Sequence, residues 1–153
     1  MKSRLNYAQV DPKAMKGMLE LEKYVHESGL ERALYELLKT RASQINGCAY
    51  CIDMHTKDAR EAGETEQRLY GLSAWRESPF YTEKERVALE WTEVITRISE
   101  NDVSDSLSEA PRKNFNQEEM VALTLAIIAI NRWNRMAISF RTIPGSYKPE
   151  LAK

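Results

Sequence analysis

Gly47-Cys48-Ala49-Tyr50-Cys51-Ile52-Asp53-Met54-His55 carries both cysteines of the chain and one of its two histidines. At about 100° per residue, a helix through this segment sets Cys51 one turn beyond Cys48 and His55 one turn beyond Cys51, all on one side. Ile52, Ala59 and Ala62 extend that side as a buried one, whereas Asp53, Thr56, Lys57, Arg60 and Glu61 lie opposite and favour water. The segment predicts an amphipathic helix that turns a thiol pair and an imidazole inward.

Immediately upstream, Asn46-Gly47 tolerates the left-handed backbone of a C-cap and ends a helix over about 30–45. That helix is expected to bury Leu30, Ala33, Leu34, Leu37, Leu38 and Ala42. Before it, Asp11 as N-cap and Pro12 at the first helical position open a helix with the stripe Ala14, Met18, Leu21 and Val25, closed at Ser28-Gly29. Downstream, the cysteine helix closes on Gly63, Thr65 caps a short helix with Leu69 and Leu72, and Ser78-Pro79 breaks the chain. Thr82 with Glu85 is a capping box for a helix whose stripe is Val87 or Ala88, Trp91, Val94, Ile95 and Ile98. After a polar stretch over 101–115, with one turn after Ser104, Asn116 with Glu119 repeats the box and opens the longest helix, to about Arg141. Pro144-Gly145 stops it, and a loose tail from Ser146 is expected. No segment reads as a strand. The expectation is an all-α fold, a single-domain bundle over residues 1–153 with about six to seven helices.

Residues 120–130 are apolar all round apart from Thr124, so that helix is expected to be central in the domain or covered by another subunit, as in a homo-oligomer. The stretch is still shorter than the ~20 residues of a membrane span, and residues 1–7 lack the apolar run of a secretory signal. Lys+Arg 22 against Asp+Glu 23 leaves a formal net charge of −1 without a basic tail, which argues against a nucleic-acid partner. Two cysteines three positions apart close too small a loop to stabilise the chain as a disulfide, and a reducing, cytoplasmic location is expected.

A thiol in the first turn of a helix faces unpaired N–H groups and the positive end of the helix dipole, both of which favour thiolate; Cys48 gains this most directly. His55, one turn from Cys51, can accept its proton or pair with its thiolate. A thiolate that attacks a peroxide becomes a sulfenic acid, and a neighbouring thiol can resolve it. Other chemistries fit less well. A thioredoxin-type dithiol needs a strand before it, a c-type haem needs His directly after the second cysteine, and an iron-sulfur cluster needs more thiolates than the chain has. Zinc bound by Cys48, Cys51 and His55, with Glu36 or His26 as fourth ligand, stays open, as does a plain pair of core cysteines. Cysteines placed at random are rarely three apart, which favours the dithiol. Glu36, at the border of its helix's apolar stripe, reaches the cysteine helix if its own helix folds back, but from its position alone it reads as a solvated carboxylate. His26 reads as a capping or surface residue, and Trp75, Trp91 and Trp133 as core aromatics without a chemical role.

Glu36 followed by Arg41-Ala42-Ser43-Gln44-Ile45-Asn46-Gly47-Cys48-Ala49-Tyr50-Cys51-Ile52-Asp53-Met54-His55 resembles the signature of the alkyl hydroperoxidase D-like (AhpD-like) branch of the carboxymuconolactone decarboxylase superfamily. Asn131-Arg132-Trp133-Asn134-Arg135-Met136 is similar to the last helix of that family. The resemblance implies an all-helical trimer or hexamer with antioxidant peroxidase activity. Cys51 would be the peroxidatic thiol, Cys48 the resolving thiol, and His55 with Glu36 a proton relay. No bound cofactor is implied, but an external dithiol reductant of the lipoyl type is, coupled in some members to a peroxiredoxin. Some members carry a histidine where this chain has Tyr50, so a proton carrier at that position is absent here. The superfamily's decarboxylases do not need a dithiol, and retention of both cysteines argues against their chemistry. A non-catalytic redox sensor is the further alternative.

Overall fold

Eight α-helices, and no strand, form the regular structure of residues 1–149, the residues that the computed structural model describes. They are α1 (Tyr7–Val10), α2 (Pro12–Glu27), α3 (Arg32–Asn46), α4 (Ala49–Glu61), α5 (Glu66–Gly71), α6 (Glu83–Thr96), α7 (Asp105–Glu109) and α8 (Gln117–Phe140), with 3-10 turns at Leu72–Glu77 and Ala110–Lys113. The number exceeds the sequence expectation by short pieces. α1 is a four-residue turn capped by the Asn6 side chain, and α7 is the turn expected after Ser104. No helix among the described residues is long and apolar enough to cross a membrane.

The caps lie where the sequence puts them. Asp11 accepts from the Ala14 N–H with Pro12 at N1, Thr65 accepts from Arg68, and both capping boxes, Thr82/Glu85 and Asn116/Glu119, are formed in both directions. Gly47 adopts φ +70°, the left-handed conformation that a Cβ disfavours, and it closes α3 one residue before α4 is capped.

The apolar stretch of α8 buries Ala122, Leu123, Ala126, Ile127, Ala129 and Ile130, but it is not the most deeply covered helix. α3, not the apolar stretch of α8, is the helix buried on nearly every side: Leu34, Tyr35, Glu36, Leu37, Leu38, Lys39, Thr40, Ala42 and Ser43 are all buried. It packs on α4, α6 and α8. Periodicity hides this because Glu36, Lys39, Thr40 and Ser43 are polar, and buried polar groups require partners that pattern alone does not reveal. α8 instead leaves Val121 (54%) and Ile128 (41%) exposed on its outer side. Smaller corrections follow the same logic. On α2 the buried residues are Met15 and Val25 while Ala14 is exposed, and α6 ends at Thr96, leaving Ile98 in water.

A polar ladder fixes the α3–α4 junction to α8. The Asn46 amide donates to Asn131 (2.9 Å) and Asn134 (2.8 Å), Asn134 donates to Ser43 (3.0 Å), and Asn131 donates to Thr96 (3.0 Å). Each such bond contributes about 1 kcal/mol net, and losing one partner inside the fold costs more, so the ladder chiefly specifies register between the helices.

The segment after α8 is tied down rather than loose as far as it is described. Gly145 N–H donates to Asp53 (2.9 Å), Lys57 donates to the Tyr147 carbonyl (3.1 Å), and the Tyr147 hydroxyl donates to Asp58 (2.8 Å). This strap half-buries Asp53 and Lys57, on the face of α4 expected to meet water. The remainder of the tail expectation, 150–153, lies outside the described residues.

Candidate active site

Cys48 is the N-cap of α4, with extended backbone (φ −86°, ψ 93°), and its sulfur accepts the Cys51 N–H at 3.4 Å. A sulfur at this position satisfies one of the unpaired N–H groups of the first turn, as the sequence indicates. Cys48 and Cys51 are joined as a disulfide, with Cα atoms 5.4 Å apart. Both lie 1% exposed against Ala42, Ile130 and Ala137, under α8.

His55 follows one turn after Cys51 and is 4% exposed. Glu36, also 4% exposed, arrives from α3 and meets the imidazole, Oε2 to Nδ1 2.8 Å. This contact orients the ring, and in the tautomer that donates Nδ1–H to the carboxylate the ring presents its lone pair at Nε2. That Nε2 is buried and has no hydrogen-bond partner among the described residues. A buried nitrogen without a partner is costly as pure structure and points to a group that comes and goes.

A cavity of about 340 Å³ joins these parts. Cys51, His55 and Glu36 line it together with Tyr50, Met54, Asp58, Tyr7 and a cluster from α2, α3 and α8: Glu22, Tyr35, Lys39 and Trp133. Cys48 is not among the lining residues. Position at the helix start, which favours Cys48 as thiolate, does not make it the sulfur that meets the cavity. The two are equally buried, and it is Cys51 that lines the cavity.

Sequence reasoning missed the second cluster. Lys39 is 2% exposed and pairs with Glu22; its ammonium also donates to the Tyr35 hydroxyl, which in turn donates to Glu22. Trp133, read from sequence as a plain core aromatic, donates its indole N–H to the other Glu22 oxygen at 3.0 Å. Burial pushes the Glu22 carboxyl up, but the Lys39 charge and these hydrogen bonds outweigh it and hold the group below its ordinary value. Burial raises the Tyr35 hydroxyl, helped by the Glu22 charge. Asp58 is raised, first by burial and then by the nearby Glu36 charge, against the Tyr147 hydrogen bond that lowers it. One signal in the chain points to Glu22: it stands seven residues after Met15 and three before Val25, on the buried stripe of α2.

For a metal, the fold assembles Glu36, His55 and Asp58, whose ligand atoms lie within 4.8 Å of one another. This is not the cysteine set considered from sequence. Cys48 and Cys51 bond to each other, and His26 is exposed at the cavity rim with its ring 5.4 Å from that of Tyr35.

Residues 12–94 match the model of the carboxymuconolactone decarboxylase family. The uncharacterized protein YdfG of Bacillus subtilis (strain 168) is 48% identical over 139 residues, which span 91% of this chain and 95% of YdfG. A crystal structure of the AhpD-like ATU0492 from Agrobacterium tumefaciens, a protein of unknown function, superposes with TM-score 0.91 at 48% identity, covering 95% of this chain and all (100%) of that one. The debrominase Bmp8 shares the fold at TM-score 0.79 and 16% identity, over 90% of this chain and 74% of its own.

Proposed function

The chain belongs to the carboxymuconolactone decarboxylase family, and we propose that within it the chain acts as an AhpD-like thiol peroxidase, reducing hydroperoxides through the Cys48/Cys51 pair. The observation that carries this reading is a disulfide-bonded pair of which one sulfur, Cys51, shares a cavity with an imidazole tied through Nδ1 to Glu36 and open at Nε2.

In the reduced protein His55 Nε2 takes the Cys51 thiol proton, and Glu36 steadies the imidazolium that results. The thiolate attacks the terminal peroxide oxygen and becomes a sulfenic acid. Cys48 then displaces water from it to form the disulfide. An external dithiol of the lipoyl type reopens the disulfide through a mixed disulfide. The carboxymuconolactone reaction has no step that uses a dithiol, so this pair weighs against it.

The test is peroxide consumption by the intact protein with a panel of donors that includes dihydrolipoamide and thioredoxin. Turnover with a dithiol donor supports the enzyme. Oxidation without turnover by any donor leaves a redox sensor. We also propose a homo-oligomer that covers the outer side of α8, where Val121 and Ile128 are exposed. Light scattering at micromolar concentration is expected to give a multiple of 17.7 kDa, and the mass of a monomer would remove this proposal.

A further inference from the structure

The peroxidase reading assigns the thiol proton but not the proton that the departing oxygen requires. When the Cys51 thiolate takes the terminal oxygen of ROOH, an S–O bond forms, the O–O bond breaks and RO⁻ leaves. Sulfur loses two electrons and the peroxide gains them. An alkoxide is about as basic as hydroxide, so its expulsion into the cavity without a proton is slow.

On the basis of that reading, we propose that Lys39 is the acid for the leaving group, and that Glu22, Tyr35 and Trp133 are the residues that position it. Lys39 belongs to the same helix as Glu36, three residues on, and lines the same cavity as Cys51. Its ammonium has three N–H groups; one is given to Glu22 and one to Tyr35, and the hydrogen bonds of the described residues leave the third free. The Tyr35 hydroxyl spends its own proton on Glu22, so Lys39 is the donor of this cluster with an N–H to spare.

A purely structural role explains this arrangement poorly. Burying a lysine against a partly exposed glutamate of another helix seldom stabilises a fold relative to an apolar residue of the same size, and an unspent ammonium N–H in a buried place adds to the cost. Burial lowers the Lys39 pKa while the Glu22 and Glu36 charges oppose the shift, so the ammonium yields its proton more readily than that of a surface lysine. In the step itself, RO⁻ takes a proton from Lys39 to leave as ROH. The proton that Cys51 gave to His55 returns to the neutral amine, and the net change is one thiol and one hydroperoxide to one sulfenic acid and one alcohol. Since Glu22 cancels the Lys39 charge and Glu36 and Asp58 add negative charge, the cavity suits a neutral hydroperoxide rather than a carboxylate-bearing one.

The test compares two oxidants on reduced protein, with Cys51 oxidation followed by rapid quench and mass spectrometry. tert-Butyl hydroperoxide expels an alkoxide and needs the acid; 3-chloroperbenzoic acid expels a carboxylate of pKa about 4 and does not. Lys39→Met is expected to slow the first by about 10²-fold and the second by no more than about threefold. Should Lys39→Met not fold, the paired Glu22→Gln/Lys39→Met protein, which removes both charges together, carries the same expectation. Equal slowing of both oxidants, or of neither, overturns the assignment. A wild-type protein inert to both oxidants overturns instead the peroxidase reading on which it rests.

Discussion

Cys51→Ser is expected to abolish peroxide consumption altogether, whereas Cys48→Ser is expected to consume one equivalent and stop. The asymmetry follows from where the sulfurs lie. Cys51 lines the cavity one turn from His55, while Cys48, at the α3–α4 junction, is not among the lining residues. A serine hydroxyl at 51 cannot be oxidised to a sulfenic acid, and Cys48 cannot replace it because no peroxide reaches it from the cavity. In Cys48→Ser the sulfenic acid at Cys51 has no resolving thiol and persists. Dimedone labelling with mass spectrometry is expected to place the adduct on Cys51. An adduct on Cys48 in the Cys51→Ser protein, with normal single-turnover peroxide loss, would reverse the roles and leave His55 a structural residue.

His55→Ala and Glu36→Gln are each expected to slow Cys51 oxidation at neutral pH by about 10²-fold, equivalent to roughly 2.7 kcal/mol of barrier. The first removes the base. The second keeps the shape of a side chain only 4% exposed but removes the charge that steadies the imidazolium across a 2.8 Å contact. A lesion in proton removal has a signature that a folding lesion lacks. As pH rises past the ordinary thiol value of about 8.5, solvent supplies the thiolate and the variants should approach the wild-type rate. Single-turnover oxidation measured from pH 6 to 9.5 checks this. A deficit that is constant across that range would show that the dyad supports the fold instead of the proton transfer.

Much of this site is legible in the amino-acid sequence, and the reasons are local. Asp11-Pro12, Thr82/Glu85 and Asn116/Glu119 satisfy helix ends by contacts within four residues, so those boundaries are written in short stretches of chain. The same holds for Gly47 with its left-handed turn and for Cys48 as the N-cap beside it. Cys51 and His55 share a side because 3.6 residues make a turn, whatever surrounds the helix.

Contacts between distant segments are another matter. Sequence places Glu36 at a helix border, and only the packing of α3 on α4 makes it the partner of His55, nineteen residues away in the chain. Nothing in the chain marks Lys39 as buried, because the group that makes its burial tolerable, Glu22, is seventeen residues upstream on another helix, with Trp133 a further contribution from α8. The polar residues of α3 mask the most deeply buried helix. By itself, then, the sequence determined the helices, their caps and the cysteine-histidine side of α4, because those depend on neighbours one turn away. The depth of α3, the cavity and the Lys39 cluster were decided only by the tertiary structure, since burying a charge is favourable only where a partner from elsewhere in the chain meets it.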